Sequence, residues 1–320
     1  MQETLSTAFQ PESPLSVPRL QAHEIHPEAF LQTYVIPGRP VVISGLLDGE
    51  PNWDLDFLIQ HLGDRTFPVR KYGRDRYQQD KRDWQDMGSG VALRSMPFAE
   101  YADLIRSGEA YEQDLYLGRC GLGGTPLADA PVFQKSEAVL GLKGSMTPLN
   151  LWCGPAGHTS CLHYDPLDGT LTQLYGTKHI ILFPPSQLYN LHPFSVWNHL
   201  IYGLRRRAVY SQVYPDRPDF EAFPRYRKAL AQRYDVMLHA GEILFIPSCW
   251  WHEVTSIGTG MVCSVNRWWN VPLGRSLRTW SKWRAHIGSL LALPHIAWDL
   301  LSVLPATARK HKLKALIQRL

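Results

Sequence analysis

What the sequence lacks excludes several classes of protein. Its five cysteines are an odd number and contain no C-x-x-C pair, so neither a disulfide framework nor a structural zinc site is expected. The net charge of +4 over 320 residues is small, which argues against nucleic acid binding. The first residues lack a basic start followed by an apolar stretch, so we expect no secretory signal. Together these absences predict a cytoplasmic protein in a reducing compartment.

Long apolar runs free of polar residues are also lacking. The most apolar stretch, 287–306, is interrupted by Pro294 and Asp299, which argues against a membrane-spanning helix. Two shorter helices, 277–293 and 296–304, are expected instead. We expect these C-terminal helices to mediate homodimerisation. Contact with a membrane surface is the alternative, because the chain ends in a basic segment.

The chain is predicted to divide into three parts. Residues 1–16 are expected to form a flexible tail, residues 17–272 the main domain, and residues 273–320 a helical extension. From Leu149 onward, β-rich segments are separated by turns that contain Gly and Pro. This pattern predicts a mainly β fold with flanking helices. Its core would be a double-stranded β-helix, or jelly roll, with room for a metal and a ligand between its sheets.

The most informative segment is His163-Tyr164-Asp165, which is followed 89 positions later by His252. Alternate side chains of a β-strand share a face, so His163 and Asp165 are expected to point the same way. A second strand can bring His252 opposite them. Two imidazoles and one carboxylate leave three positions of an octahedral ion open, as in non-haem Fe(II) oxygenases. The alternative for the triplet alone is a polar strand edge with a hydrogen-bonded histidine.

The segment after this triplet supports a metal site. Residues 171–185 read as a strand, a turn containing glycine, and a second strand that ends in two prolines. The turn returns the chain beside the His-x-Asp strand and places Lys178 at the start of the second arm.

At these residues the chain resembles the JmjC/cupin-like hydroxylases that depend on Fe(II) and 2-oxoglutarate, and most of all the asparaginyl hydroxylase of hypoxia-inducible factor. The match runs in order over roughly residues 40 to 270, and the resemblance makes 17–272 the catalytic domain. The segments that carry it are Pro40-Val-Val-Ile, Leu115-Tyr-Leu, Ser160-Cys-Leu-His-Tyr-Asp, Gly176-Thr-Lys178, Ile181-Leu-Phe-Pro-Pro, Ser211-Gln-Val, Pro218-Asp-Phe-Glu-Ala-Phe-Pro, Gly241-Glu-Ile-Leu-Phe-Ile-Pro, Trp250-Trp-His252 and Val265-Asn-Arg-Trp.

The resemblance implies a role for each matching residue. The iron ligands would be His163, Asp165 and His252. The distal carboxylate of 2-oxoglutarate would pair with Lys178 and accept hydrogen bonds from Tyr116 and Ser160, while Asn266 would lie near the co-substrate and the iron. Fe(II), 2-oxoglutarate and O₂ are therefore the expected cofactor and co-substrates, and succinate and CO₂ the expected by-products.

The sequence departs from the asparaginyl hydroxylase where that enzyme holds its target amide. Gly118 and the pair Val209-Tyr210 stand at those positions, which predicts a roomier and less polar substrate pocket lined by Gly118, Tyr210 and Trp268. Asparagine is therefore not the expected target. Hydroxylation of a peptide, a protein side chain or a small metabolite is favoured over N-demethylation, because no chromatin-reading module accompanies the domain.

Two other function classes stay open at this point. A cupin metalloenzyme that does not use 2-oxoglutarate could hold zinc, manganese or nickel on the same ligands, although Lys178 would then have no role. A non-catalytic scaffold could keep the fold and bind partners through its helical tail. The complete set of ligands argues against a scaffold.

Overall fold

Two β-sheets form the centre of the protein in a computed structural model, which describes residues 13–87 and 91–301. Within that part of the chain, the larger sheet consists, in spatial order, of β2 (Arg19–Gln21), β3 (Val41–Ser44), β12 (Ile243–Ile246), β9 (Asp168–Tyr175), β14 (Met261–Trp269), β7 (Asn150–Pro155), β6 (Leu115–Gly121), β4 (Thr66–Lys71) and β5 (Ala92–Pro97). The smaller sheet consists of β1 (Leu15–Ser16), β11 (Tyr234–His239), β10 (Thr177–Phe183), β13 (Trp251–Ile257) and β8 (Thr159–Tyr164).

The eight strands from β7 to β14 form the jelly roll. Strands β7, β9, β12 and β14 lie in the larger sheet, whereas β8, β10, β11 and β13 lie in the smaller one. Every pair of neighbours within this set is antiparallel. The predicted double-stranded β-helix with flanking helices is therefore confirmed.

Apolar side chains fill part of the space between the two sheets. Leu171 and Leu244 from the larger sheet pack against Ile180, Leu182 and Val236 from the smaller one. Burying these side chains supplies the main favourable term for closing the two sheets on each other. A cavity remains beside this cluster, and the candidate site lies in it.

Helices flank the larger sheet and follow the last strand. Asp54 is the N-cap of the helix Leu55–Leu62, since its carboxylate accepts a hydrogen bond from the Phe57 backbone N–H at 2.9 Å. The helices are α1 (Pro27–Phe30), α2 (Leu55–Leu62), α3 (Phe98–Arg106), α4 (Glu109–Glu112), α5 (Pro131–Val139), α6 (Asn198–Tyr202), α7 (Tyr226–Leu230), α8 (Leu273–Arg278), α9 (Trp280–Leu291) and α10 (Leu293–Leu301).

Parts of the predicted N-terminal tail and of the predicted C-terminal extension pack against the main domain. Residues 1–12 of the predicted flexible tail lie outside the described residues, but Leu15–Ser16 pairs in parallel with β11. At the other end, α9 packs on the main domain. The buried guanidinium of Arg284 donates to the carbonyl oxygens of Ala208 and Phe194. Residues 302–320, including the basic C-terminal segment, lie outside the described residues.

The C-terminal helices expose an unusual amount of apolar surface. On α9 and α10, Leu290, Trp298 and Leu301 are each more than 60% exposed. None of the helices in 13–87 and 91–301 combines the length and the apolar character needed to cross a membrane.

Candidate active site

Pairing of two strands brings the three predicted metal ligands together. In the register of β8 with β13, His163 lies directly opposite His252, and Asp165 follows the end of β8. One ligand atom from each residue lies within 4.8 Å of the other two. Two imidazole nitrogens and one carboxylate oxygen on one face of a site fit a divalent transition metal such as Fe(II).

Hydrogen bonds fix the orientation of all three side chains. The Nδ1 atoms of His163 and His252 donate to the backbone carbonyls of Cys161 (2.8 Å) and Trp250 (3.0 Å), each two residues earlier on the same strand. A carbonyl oxygen can only accept, so Nδ1 carries the proton and Nε2 keeps a free lone pair. The indole nitrogen of Trp268 donates to Asp165 Oδ2 at 3.1 Å.

The electrostatics of the triad favour the protonation states that bind metal. Burial, together with the neighbouring His252, lowers the pKa of His163 to about 4, so its imidazole is neutral at physiological pH. Burial by itself raises the pKa of Asp165. The two histidines and the Trp268 hydrogen bond outweigh that effect and hold this pKa below its usual value, so the carboxylate is ionised.

A β-bulge places Ser160 on the same face as the predicted metal ligands. The register of β8 with β13 shifts by one residue between the pairs His163–His252 and Ser160–Val254. Without the extra residue, side chains three apart on a strand would point to opposite faces. The Leu162 backbone N–H, which lies inside the bulge, donates to the buried carboxylate of Glu253 at 3.0 Å.

Lys178 is a buried cation. Among the described residues, its ammonium group donates hydrogen bonds only to hydroxyl groups. Its side chain is 2% exposed, and its Nζ atom donates to Ser264 Oγ and, at 3.5 Å, to Tyr116 Oη. Burial lowers the pKa of Lys178 to about 8. No carboxylate within the described part of the chain pairs with this cation, and the carboxylate of a bound organic acid would supply the compensating negative charge.

The remaining predicted residues lie around the same cavity, which has a volume of about 150 Å³. Ser160, Tyr210 and Trp268 line it, and so does Asn266, whose amide oxygen accepts a hydrogen bond from Trp152 at 2.7 Å. The ring of Tyr210 stacks on that of His163 with 5.1 Å between centroids. The structure thus brings every predicted co-substrate residue to the triad.

One residue of the predicted substrate pocket is absent from the lining of the cavity. Gly118 does not line the cavity; a Cβ there would meet the Trp152 ring at 3.2 Å, and the next residue, Arg119, lines the cavity instead. The residue types at Gly118 and Val209 describe only those two positions, so they do not predict which side chains reach the cavity from other segments of the chain.

Residues that the sequence reasoning missed fall into two groups. Ser264 lies two positions before Asn266 on β14, so strand alternation could have placed both on one face. No such signal was available for the second group, the arginines that line the cavity: Arg70, Arg76, Arg119 and Arg207.

The comparison with protein families decides the classification. The cupin-like domain family matches residues 27–274, which is most of the chain. The chain belongs to the cupin-like JmjC family. The family predicted from the motifs is therefore confirmed.

Curated relatives of this cupin-like chain carry names of demethylases and of a JmjC protein. Lysine-specific demethylase 8 of Xenopus tropicalis is 27% identical over 280 residues, which cover 81% of this chain and 54% of the relative. Lysine-specific demethylase JMJ30 of Arabidopsis thaliana is 30% identical over 259 residues, 76% of this chain and 52% of the relative. Jumonji C domain-containing protein 5 of Drosophila melanogaster is 27% identical over 281 residues, 83% of this chain and 63% of the relative. The chain thus spans roughly half to two thirds of the length of these relatives.

Proposed function

We propose that the protein is an Fe(II)- and 2-oxoglutarate-dependent oxygenase that hydroxylates a C–H bond of a peptide, a protein side chain or a small metabolite. One observation carries the proposal: the His163, Asp165 and His252 triad shares a cavity with the buried cation of Lys178. A metal site alone would leave this lysine without a role. A dicarboxylate that spans from the metal to Lys178 accounts for both features.

Each side chain then has a defined task. His163, Asp165 and His252 would hold the iron, and Lys178, assisted by Tyr116 and Ser160, would bind the distal carboxylate of 2-oxoglutarate. When bound, iron and 2-oxoglutarate use O₂ so that one oxygen atom enters the substrate and the other enters succinate, with release of CO₂.

The protein's own contribution is binding and orientation. The two backbone carbonyls behind His163 and His252 keep each Nε2 directed at the metal position, and Trp268 holds the Asp165 carboxylate. The protonated ammonium of Lys178 and the hydroxyl of Tyr116 orient one end of the co-substrate.

N-demethylation is a second candidate, and the names of the demethylase relatives favour it. The two reactions share the oxidation of a C–H bond. Hydroxylation of an N-methyl carbon gives an unstable product that loses formaldehyde, whereas hydroxylation of another carbon gives a stable alcohol. Formaldehyde release would therefore separate the two.

The experiment that tests the proposal is anaerobic titration of the Fe(II)-loaded protein with 2-oxoglutarate. We expect a visible charge-transfer band, loss of this band at the same 2-oxoglutarate concentration in Lys178→Met, and no change in Lys228→Met, which removes an exposed lysine from α7. Admission of O₂ should then produce succinate. A protein that binds iron but gives neither the band nor succinate would contradict the proposal and favour a cupin metalloenzyme of another class.

We extend the proposal to the compartment and to self-association. All five cysteines are buried free thiols, which is consistent with a reducing cytoplasm. The exposed apolar residues of α9 and α10 are the surface through which two copies would associate.

A further inference from the structure

The cavity beside the triad carries an excess of positive charge. Its lining includes Lys178 and four arginines, against a single carboxylate, that of Asp165, among the described residues. If the proposed function is correct, the metal uses Asp165 and 2-oxoglutarate uses Lys178. The four arginines then still face the space that a substrate would enter.

Arg119 is held close to the triad by an unusual backbone conformation. Its φ angle is +56°, and the pairing of β6 with β7 is irregular between Leu117 and Cys120. The guanidinium carbon lies 5.1 Å from the centre of the Trp268 ring, whose nitrogen is bonded to Asp165. Only one aromatic ring therefore separates this cation from a metal ligand.

A second arginine approaches from the neighbouring strand. Arg70 lies opposite Tyr116 in the pairing of β4 with β6, and both residues line the cavity. Over residues 13–87 and 91–301, the guanidinium group of neither Arg70 nor Arg119 forms a hydrogen bond or an ion pair, although both residues are only partly exposed. Guanidinium groups at such sites normally bind a carboxylate or a phosphate through paired N–H donors.

The surroundings of Arg119 disfavour its charged form as long as no negative group lies beside it. Burial, together with the positive charges of Arg207 and Arg70, lowers the pKa of Arg119 in spite of the attraction to Asp165. A negative group placed between Arg119 and Arg70 would relieve this repulsion.

We propose that the substrate carries an anionic group, a carboxylate or a phosphate, which Arg119 and Arg70 bind beside the metal. This inference deepens the proposed oxygenase function and rests on it for the use of the cavity. It gives the pocket a preference opposite to that needed for a cationic methyl-lysine side chain, which the arginines would repel.

The test uses small probes that share a phenyl ring and differ in charge, and two of them have nearly the same shape. Phenylacetate, its neutral isostere phenylacetamide, phenyl phosphate and the cation benzyltrimethylammonium are titrated calorimetrically into the full chain loaded with Fe(II) and 2-oxoglutarate without O₂. We expect at least one anion to bind 10-fold or more tightly than phenylacetamide, since a hydrogen-bonded charge contributes about 1.5–3 kcal/mol. Whether the carboxylate or the phosphate binds more tightly identifies the group.

Matched variants locate the anion. Arg119→Gln and Arg70→Gln should each weaken binding of the preferred anion about 10-fold or more. Arg94→Gln removes an exposed arginine of β5, the strand next to β4, which forms an ion pair with Glu100. This control should leave binding of the anion unchanged. Equal binding of phenylacetate, phenyl phosphate and phenylacetamide would overturn the inference. Tighter binding of benzyltrimethylammonium, or an anion that binds by displacing 2-oxoglutarate, would also overturn it.

The charge-transfer band recorded in the same samples keeps this inference separate from the proposed function. A band without a preference for anions refutes the anionic substrate alone. A preference for anions that depends on Arg119 and Arg70, in protein that binds iron but gives no band, refutes the dependence on 2-oxoglutarate and leaves the anion site established.

Discussion

Replacement of Lys178 by methionine should stabilise the protein without ligand and abolish its response to 2-oxoglutarate. Methionine has a similar length and keeps the apolar stem, but it removes the buried ammonium. Loss of a salt-bridging lysine usually destabilises a protein. The opposite is expected here because the ammonium is buried and its hydrogen-bond partners are the hydroxyls of Ser264 and Tyr116.

The size of the effect follows from the pKa. Burial moves the pKa of Lys178 from 10.5 to about 8, a difference that corresponds to about 3 kcal/mol disfavouring the charged form in the folded state. Lys178→Met should recover up to this amount at pH 7, less the value of two hydrogen bonds. The affinity for 2-oxoglutarate should fall about 30-fold to several thousand-fold, because one partner of a buried charge pair is lost.

The pH dependence gives the sign of the effect. Between pH 8 and 10.5 the unfolded chain holds the lysine proton more tightly than the folded protein, so unfolding takes up a proton. The stability of the wild-type protein should therefore rise relative to that of Lys178→Met across this window, and the gap between the two should close.

The assay is urea unfolding of metal-free protein at pH 7 and pH 10.5, followed by unfolding at pH 7 with Fe(II) and with or without 2-oxoglutarate under nitrogen. Lys228→Met serves as the control for removal of a lysine charge. A Lys178→Met protein that is destabilised equally at both pH values would refute the reasoning, and so would one that is still stabilised by 2-oxoglutarate as the wild type is.

Three further predictions follow from other contacts. Trp268→Phe keeps the ring but removes the donor to Asp165, so the affinity for Fe(II) or Co(II) should fall about 10- to 100-fold in a metal titration, and an unchanged affinity would contradict this role. Gly154→Ala would place a Cβ 2.3 Å from the Tyr116 ring, so thermal unfolding should show that the free energy of unfolding falls by about 1–3 kcal/mol, and 2-oxoglutarate should bind more weakly. A variant with unchanged stability and unchanged binding would contradict this prediction. Sedimentation should give the mass of two chains for the wild type and of one chain for Trp298→Asp, and identical masses would place the dimer contact elsewhere.

Much of the fold and of the triad could be predicted because both depend on local patterns. Alternation that continues one residue past the end of β8 puts His163 and Asp165 on one side, and the apolar run of β10 identifies a buried strand that carries Lys178 inward. Their roles as metal and co-substrate ligands stay predictions that the proposed titrations test.

The bulge in β8 and the arginines could not be predicted in the same way. Ser160 shares the face of His163 only because one extra residue shifts the register, and a period of two would assign it to the other face. Arg119 depends on a positive φ angle that its residue type does not favour. Arg70 comes from a strand about 90 residues before the triad and reaches the cavity only through the pairing of β4 with β6.

The position of His163 opposite His252 also has a consequence for the order of folding. The two histidines are separated by 89 positions in the sequence, so β8 and β13 can pair only after a long segment of chain has closed on itself. Under the proposed function, a partly folded chain in which this pairing is missing lacks one of the three metal ligands. We therefore expect complete metal binding to require this pairing, so that the amount of metal bound by a freshly refolded sample would report how much of it has reached the native strand pairing.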